Sequence, residues 1–417
     1  MKICIISDEY TIDNHAGGIG TYSHYLANAL CRNGHDITVI TKTKSGFTKE
    51  VNGVKIVGIP NRIETNKFLR FLLFPFRKLF PMTFEHLFGW VIPASFKYKK
   101  LYEKEKFDFT EVPELGFLGL ICYLAGNKNY IVKLHTPRLM HTRLNRLKHR
   151  EWDLLTFDTL ERISANRAAI ITSPSRSLIQ YISALWNIDT DRVEVDRNLI
   201  DTEYFRSQRE NFTDSEIVFD KSFINLFFAG RIEKRKGVVE LLDAFYKFYK
   251  ETNRQDVKLY YAGRDTEIYE KGRCKSFVEY LKNRYNDPEF YKQVTFLGGI
   301  GYKDIYKYYL SSDIVVLPSK NFENFAYTNI EAMLWGKPLI LSETCGTSEL
   351  VKNYENAVIV NPSDTNELKE AIKNLINNPD LRNKLSQNAI ITIENECSFD
   401  KGVETKLRLA KKFLNPQ

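Results

Sequence analysis

The chain opens with Lys2-Ile3-Cys4-Ile5-Ile6-Ser7, a short apolar run that leads through a glycine-rich loop into a segment whose apolar residues recur every three or four positions. This order predicts a buried strand, a turn and a helix, the first unit of a parallel α/β sheet. Further β-rich runs, mostly separated by helical segments, follow at residues 36–41, 54–59, 107–112, 130–135, 168–173 and 193–197. We therefore expect the first half of the chain to be a parallel sheet covered by helices on both faces.

The alternation of strands and helices restarts after a polar stretch at residues 206–221, which has little that could form a core and is our predicted linker. In the second half we predict strands at residues 224–229, 257–262, 294–297, 313–318, 338–342 and 357–360. Two arrays of similar size within 417 residues indicate two facing, nucleotide-binding-type domains rather than one extended sheet.

The bulk composition is that of an ordinary globular protein, with 43% hydrophobic and 27% charged residues. The apolar run at residues 3–6 is too short for a signal peptide or a membrane span, and the six cysteines form no CxxC pair. We therefore expect a cytoplasmic protein. The formal net charge of +8 matters only where it is concentrated.

Positive charge is concentrated at residues 67–100, where cations alternate with large apolar side chains. The cations are Lys67, Arg70, Arg77, Lys78, Lys97, Lys99 and Lys100. Such a stretch can bind an anionic membrane surface, which would make the protein peripheral on the inner face of the membrane. It can equally form amphipathic helices that pack on the domain core. A stacking surface for nucleic acid is a third interpretation that depends only on charge and aromatic content, and we predict no nucleic-acid partner.

Two carboxylates, Glu323 and Glu331, lie eight residues apart directly after the predicted strand at 313–318. We place the first in the loop at the strand's carboxyl end, where α/β sheets bind ligands, and the second two turns into the following helix. The amino end of that helix would offer free amides to an anion such as a diphosphate. By spacing alone, two solvated glutamates are the better explanation of the pattern.

Two further segments carry candidate ligand-binding groups. The turn at residues 230–237 follows a strand and presents four cations, Arg231, Lys234, Arg235 and Lys236, of which two could neutralise a diphosphate without a metal ion. Near the amino terminus, the predicted ligand-facing glycines of the first loop are Gly17, Gly18 and Gly20.

His135 ends an apolar strand and should emerge at the ligand-binding edge of the first sheet. The remaining histidines have no metal-ligand spacing such as HExxH, so we predict no metal site. Ser23 occupies the position of the third glycine in a G-x-G-x-x-G dinucleotide fingerprint, which argues against a dehydrogenase.

The segment from Glu323 to Glu331 resembles the E-x7-E motif of the retaining glycosyltransferases of family 4 (glycosyl transferases group 1), which have the two-domain GT-B fold. The resemblance implies that Glu323 contacts hydroxyl groups of the donor sugar and that Glu331 holds the nucleotide ribose. It extends donor contacts to the loop residues Asn324, Phe325 and Ala326, although the family usually has glycine or proline at the last position.

The other segments are similar to the same family in the same order along the chain. Arg231 and Lys236 align with its phosphate-binding pair, which leaves Lys234 and Arg235 as solvated neighbours. The first glycine loop aligns with its amino-terminal loop, and His135 with its histidine near the reacting sugar. The resemblance therefore implies three regions: an acceptor-binding domain at residues 1–205, a donor-binding domain at 206–395, and a helix at 396–417 that packs back on the first domain.

The resemblance implies a retaining, metal-independent hexosyltransferase that moves a sugar from a nucleotide-diphosphate donor to a glycan or lipid-linked glycan acceptor. We expect a UDP-sugar rather than a GDP-sugar as co-substrate, no other cofactor, and a role in surface polysaccharide biosynthesis. The alternative is a catalytically silent GT-B protein that binds a nucleotide or a partner transferase.

Overall fold

The computed structural model describes residues 1–10, 17–65, 71, 74–145, 147–270 and 273–414. The chain forms two compact units, one made of residues 1–201 and 397–417 and the other of residues 202–396. Each is built around its own sheet. In the ranges just given, no helix is long and apolar enough to cross a lipid bilayer.

Unit 1 is built on a sheet that has eight strands within the described residues, in the order β3-β4-β2-β1-β5-β6-β7-β8. The strands are β1 Lys2–Ile6, β2 Asp36–Thr43, β3 Phe47–Val51, β4 Val54–Pro60, β5 Phe109–Pro113, β6 Tyr130–Lys133, β7 Ile170–Ser173 and β8 Val193–Val195. All neighbouring strands run parallel except β3, which pairs antiparallel with β4 at the edge. The fully buried apolar side chains of β1, β5 and β6 place the core at the centre of this sheet.

The longer helices of unit 1 follow the strands in the order expected for parallel crossovers. They are Gly18–Arg32, Ile92–Glu105, Glu151–Asn166, Arg176–Trp186 and the C-terminal helix Phe399–Leu414. Shorter helices are Arg62–Thr65, Phe74–Leu79, Pro81–His86, Gly119–Leu124 and Arg138–Leu144, with a π-helical turn at Leu87–Val91. The C-terminal helix packs against Gly18–Arg32 and therefore returns to the amino-terminal part of the chain, as predicted.

Unit 2 contains a parallel sheet that has six strands in the described part of the chain, in the order β13-β10-β9-β14-β15-β16. Its strands are β9 Ile224–Ala229, β10 Val257–Ala262, β13 Val294–Gly298, β14 Ile314–Leu317, β15 Leu339–Ser342 and β16 Val358–Val360. A separate hairpin pairs β11 Glu267–Glu270 with β12 Arg273–Ser276. The helices are Thr202–Glu210, Val238–Thr252, Phe277–Lys282, Pro288–Tyr291, Ile305–Ser311, Tyr327–Leu334, Thr365–Asn377 and Pro379–Cys397.

The predicted linker begins inside a helix. Residues 206–210 form the last turns of the helix Thr202–Glu210. Phe205 anchors this helix, because its side chain is buried at 1% exposure and its ring lies 4.3 Å from that of Trp335. This apolar anchor lies one residue before the polar stretch, and unit 2 therefore starts at Thr202 rather than at the predicted position 206.

Two glycines of unit 2 allow loops to approach one another more closely than any other residue would. A Cβ on Gly263 would lie 1.7 Å from the carbonyl oxygen of Gly230, and one on Gly237 would lie 1.8 Å from that of Pro318. Gly237 also has φ +71°, which other residues adopt at a cost. The second contact brings the basic turn at 230–237 against the loop that follows β14.

We expect Gly237→Ala to destabilise unit 2 by more than about 2 kcal/mol, because left-handed strain of roughly 1–2 kcal/mol adds to a clash with backbone. Gly298→Ala is the matched control: Gly298 has φ +74° in the same unit, and its Cβ would meet nothing within 4 Å. Urea unfolding curves of the two variants measure the difference. Equal destabilisation would mean that the two loops tolerate separation.

The basic aromatic stretch at 67–100 has both a packed and an exposed side. Residues 66–70 and 72–73, which include Lys67 and Arg70, lie outside the described residues. Trp90 and Tyr98 are fully buried, whereas Phe71, Phe74 and Phe96 are 80%, 60% and 67% exposed. Among the described residues, the stretch therefore forms helices that bury large side chains on one face and expose large apolar side chains on another.

Candidate functional site

The loop after β14 positions Glu323 at the carboxyl edge of the second sheet. Glu323 is 8% exposed and forms an isolated parallel bridge with Cys345, in which its carbonyl oxygen accepts a hydrogen bond from Gly346 N at 2.8 Å. This pairing with the loop after β15 fixes the backbone at Glu323. Asn324 is half-buried, Phe325 is buried and Ala326 precedes the helix Tyr327–Leu334 in an extended conformation.

Glu323 belongs to a chain of ion pairs with the basic turn, which we call the ion-pair chain: Arg231, Glu233, Arg235, Glu323 and Lys236. Arg231 and Arg235 lie 3.3 and 2.7 Å from Glu233 Oε1. Arg235 Nη1 then pairs with Glu323 Oε1, and Lys236 Nζ lies 2.6 Å from Glu323 Oε2. Burial acts to raise the pKa of Glu323, but the Lys236 and Arg235 charges outweigh it and lower that pKa. Glu323 is therefore an ionised, oriented carboxylate at neutral pH.

This arrangement corrects the interpretation of Arg235 as a solvated neighbour. Its side chain is only 20% exposed and bridges two carboxylates, whereas Lys234 is exposed as predicted. The contact depends on the close approach of two loops whose contacting residues are 88 positions apart in the chain. No local sequence pattern encodes such an approach.

Glu331 lies in the second turn of the helix Tyr327–Leu334 and is half-buried. Its carboxylate receives no side-chain hydrogen bond from any residue that the structure describes, and burial raises its pKa to about 7. An ionised carboxylate that is shielded from water and has no hydrogen-bonding side chain lowers the stability of the fold, unless a ligand binds to it. A titratable group of this kind is typical of a ligand site.

In unit 1, the glycine loop leads into the helix Gly18–Arg32, with Gly17 as its N-cap. A side chain at Gly18 would meet none of the described residues within 4 Å. The Glu9 carboxylate accepts a hydrogen bond from the backbone of Gly20 and lies beside Gly17. An internal carboxylate thus already occupies part of the helix amino end, a feature that the sequence patterns did not reveal.

His135 follows β6 and is 8% exposed, so it lies at the strand end as predicted but is largely buried. Its backbone N–H donates to Glu114 Oε2 at 2.8 Å, and its ring makes an edge contact with Tyr22 at 5.2 Å between centroids. Burial, followed by the charges of Lys133 and Lys406, lowers the pKa of His135 well below its usual value. The imidazole is therefore neutral and suited to hydrogen bonding.

Close to this histidine lies a buried charge network that the sequence patterns also did not reveal. It consists of Glu111, Lys133, Asp196 and Lys406, all with side chains at 2% exposure or less. Lys406 Nζ lies 2.5 Å from Glu111 and 2.6 Å from Asp196, and Lys133 Nζ lies 2.8 Å from Asp196. Tyr22 joins it by donating its hydroxyl to Glu111 Oε1 at 2.6 Å.

The structure thus brings three of the predicted residues of unit 2 together, namely Arg231, Lys236 and Glu323, and places Glu331 on the helix that follows their loop. Within unit 1, His135 and the glycine loop lie at the ends of β6 and β1. In the part of the chain that the structure describes, no three His, Cys, Asp or Glu side chains cluster as metal ligands would.

The family models match both halves of the chain. Residues 16–204 match the model described as Glycosyltransferase Family 4, and residues 209–392 match the model described as Glycosyl transferases group 1. An uncharacterized glycosyltransferase of Methanocaldococcus jannaschii is 24% identical over 96% of this chain and 95% of its own. The lipopolysaccharide 1,2-N-acetylglucosaminetransferase of Salmonella typhimurium is 30% identical over 36% of this chain and 37% of its own.

Solved structures share the same architecture. The HepE protein of Anabaena, solved in complex with UDP-glucose, superposes with a TM-score of 0.67 at 16% identity, covering 98% of this chain and 99% of that one. The sucrose-phosphate synthase of Thermosynechococcus elongatus superposes with a TM-score of 0.71 at 18% identity, over the full length of both chains. The chain belongs to the group 1 glycosyltransferases of family 4, which have the GT-B fold and transfer sugars from nucleotide-sugar donors.

Proposed function

We propose that the protein is a retaining, metal-independent hexosyltransferase that uses a UDP-sugar to extend a glycan or lipid-linked glycan during surface polysaccharide biosynthesis. The observation that carries this proposal is the ion-pair chain at the end of β9 and β14. It holds an oriented carboxylate, Glu323, beside two terminal cations, Arg231 and Lys236, that can bind a diphosphate.

The ion-pair chain contains three cations and two carboxylates, and its middle cation, Arg235, is compensated by a carboxylate on each side. Arg231 and Lys236 stand at its ends, each paired to a single carboxylate. These two residues would stabilise the negative charge that develops on a departing diphosphate, as a metal ion does in other transferases. Amides at the start of the helix Tyr327–Leu334, next to Asn324, Phe325 and Ala326, would add to that stabilisation.

Glu323 would accept hydrogen bonds from donor-sugar hydroxyls, and Glu331 from the ribose. His135, neutral in its buried surroundings, would contact the donor sugar, and the glycine loop of Gly17, Gly18 and Gly20 would let backbone approach the donor or acceptor. For retention, the departing diphosphate oxygen would accept the acceptor proton on the same face of the sugar. No side chain is needed as a nucleophile.

Two similar proteins support the proposed donor and acceptor. The Anabaena protein is solved with UDP-glucose, which favours uridine as the base here. The Salmonella relative acts on lipopolysaccharide, which favours a lipid-linked or surface glycan as the acceptor.

The decisive experiment is a binding and turnover screen of uridine-, guanosine- and adenosine-diphosphate sugars, with and without chelator. We expect UDP-glucose or another UDP-hexose to be bound and turned over, with nearly unchanged rates in chelator and with the anomeric configuration retained in the product. Binding without turnover of any donor would support the catalytically silent alternative. Loss in chelator and rescue by manganese would remove the metal-free mechanism.

Glu331→Gln separates function from stability. Because burial raises the pKa of Glu331 from 4.5 to about 7, the folded protein binds its proton more tightly than the unfolded chain, and this contribution to stability is lost as pH rises through that interval. The variant should therefore be more stable than wild type above pH 7, equally stable near pH 4.5, and weaker in UDP binding. Urea unfolding and UDP titration check this, with exposed Glu355 changed to Gln as control. A variant that gains stability but binds UDP normally would remove Glu331 from the site.

We also propose that the exposed face of the 67–100 stretch binds anionic membrane. Phe74 and Leu79 are 60% and 54% exposed, and residues 147–152, which include the exposed Lys148, add to the same surface. There Arg150 donates a hydrogen bond to the Lys78 carbonyl, and Trp152 Nε1 donates to that of Leu79 at 2.8 Å. Apolar side chains beside cations are suited to a membrane interface with phosphate headgroups.

Vesicle sedimentation tests this surface. We expect binding to phosphatidylcholine vesicles that contain phosphatidylglycerol, little binding to phosphatidylcholine alone, and loss at high salt. Lys78→Glu/Lys148→Glu should weaken the binding by roughly 10-fold or more, since each cation near such a surface contributes about 1 kcal/mol. Charge reversal at Lys221 and Lys292, which are both 69% exposed in unit 2, is the control. Equal losses in both variants would indicate a non-specific charge effect.

A further inference from the structure

We propose that Arg235 is a positioning residue, which holds the Glu323 carboxylate and the loop at residues 319–323 in place for the donor sugar. The inference rests on the proposed function for the identity of the donor, but its claim about the loop does not. Arg235 would not itself bind the diphosphate.

The side chain of Arg235 stands in the middle of the ion-pair chain. It lies between Glu233, 2.7 Å from its Nε, and Glu323, which pairs with its Nη1. Arg231 and Lys236 occupy the ends and contact one carboxylate each. Since both of its near neighbours are carboxylates, the charge of Arg235 is already compensated inside the protein and contributes least to a ligand.

The backbone of Arg235 holds the same loop from the other side. Its carbonyl oxygen accepts hydrogen bonds from Lys320 N at 2.8 Å and Asn321 N at 3.4 Å. Lys320 is fixed in addition by its ion pair with Glu240 of the helix Val238–Thr252, at 2.5 Å. One residue thus anchors the loop through both main chain and side chain, just before the carboxylate that would meet the sugar.

Arginine suits this place better than lysine. A planar guanidinium spreads its charge over three nitrogens and can pair with two carboxylates at once, whereas an ammonium group acts as a point charge. Lys236, with one carboxylate partner, shows the simpler arrangement at the end of the chain. We therefore expect Arg235→Lys to restore the function of Arg235→Gln only in part.

The first experiment needs no ligand. Hydrogen exchange of amides at 319–323 should be about 10-fold faster in Arg235→Gln than in wild type, because a charged contact that holds this loop is lost. Arg235→Lys should fall between the two. Lys234→Gln, which changes the exposed neighbouring cation, should leave exchange unchanged. Exchange at the wild-type rate in Arg235→Gln would overturn the proposal.

The second experiment compares UDP with UDP-glucose. In Arg235→Gln we expect UDP affinity to stay within about 3-fold of wild type, and UDP-glucose affinity and transfer kcat to fall by about 10-fold or more, because only the sugar contact through Glu323 is disturbed. An equal loss for both ligands would place Arg235 on the diphosphate and overturn the positioning role. If wild type binds UDP but not UDP-glucose, the proposed donor fails, and the exchange result then decides the role of Arg235.

Discussion

Glu323→Gln should reduce sugar transfer by about 10- to 100-fold while it leaves UDP affinity nearly unchanged. The change keeps the shape of the side chain but removes the charge that makes its hydrogen bonds to hydroxyls strong, and such bonds are worth about 1.5–3 kcal/mol. Steady-state transfer rates and UDP titration measure the two quantities separately. Unchanged transfer would show that this carboxylate does not touch the sugar.

The same substitution should also alter the dependence of stability on pH. The pKa of Glu323 is lowered in the folded protein because Lys236 and Arg235 outweigh the effect of burial. The stability that ionised Glu323 gives to the folded protein is therefore fully present above its unfolded pKa near 4.5. This stability is lost as pH falls through the lower pKa of the folded state. Glu323→Gln should remove the part of the stability loss at acid pH that comes from protonation of Glu323. The control Glu289→Gln breaks a pair whose side chains are 66% and 69% exposed, and it should change stability by less than about 1 kcal/mol.

The sequence predicted the parallel sheets well because their strands are short apolar runs between turn residues. The predictions at 224–229 and 257–262 coincide with β9 and β10. The edge strand β3 was missed because its residues are mostly exposed and polar. Its turn did carry a signal: Asn52 and Gly53, with φ of 51° and 77°, form the Asn-Gly pair that favours tight hairpins.

The candidate site was predictable where one motif supplies the group, and unpredictable where two distant loops meet. Glu323 and Lys236 were named from their local motifs, and the structure joins them at 2.6 Å. Arg235 was taken for a solvated residue, since its partner is 88 positions away along the chain. One of the two buried lysine partners of Asp196 is more remote still: Lys406 lies 210 residues later, on a helix whose other lysines are exposed.

Lys406 of the C-terminal helix should be among the most costly residues to replace. Removing it leaves Glu111 and Asp196 buried with only Lys133 to compensate two negative charges. Breaking a buried pair from one side costs about 3–5 kcal/mol, because the remaining charge has no access to water. Lys406→Met should therefore destabilise unit 1 by that amount in urea unfolding. Lys401→Met, which breaks a pair with 49% and 69% exposed side chains on the same helix, should cost less than about 1 kcal/mol.

A charge-balanced double variant separates lost charge compensation from lost packing. Lys406→Met/Glu111→Gln removes one charge of each sign and leaves the pair of Lys133 with Asp196. In wild type, the charges of Lys133 and Lys406 overcome the effect of burial and lower the pKa of Asp196 to about 2. If charge imbalance is the cause, the double variant should recover much of the stability lost in the single one, a non-additive effect that a double-mutant cycle measures. Additive losses would instead mean that Lys406 acts through its packed methylene groups, and that the helix is held in place by shape rather than by charge.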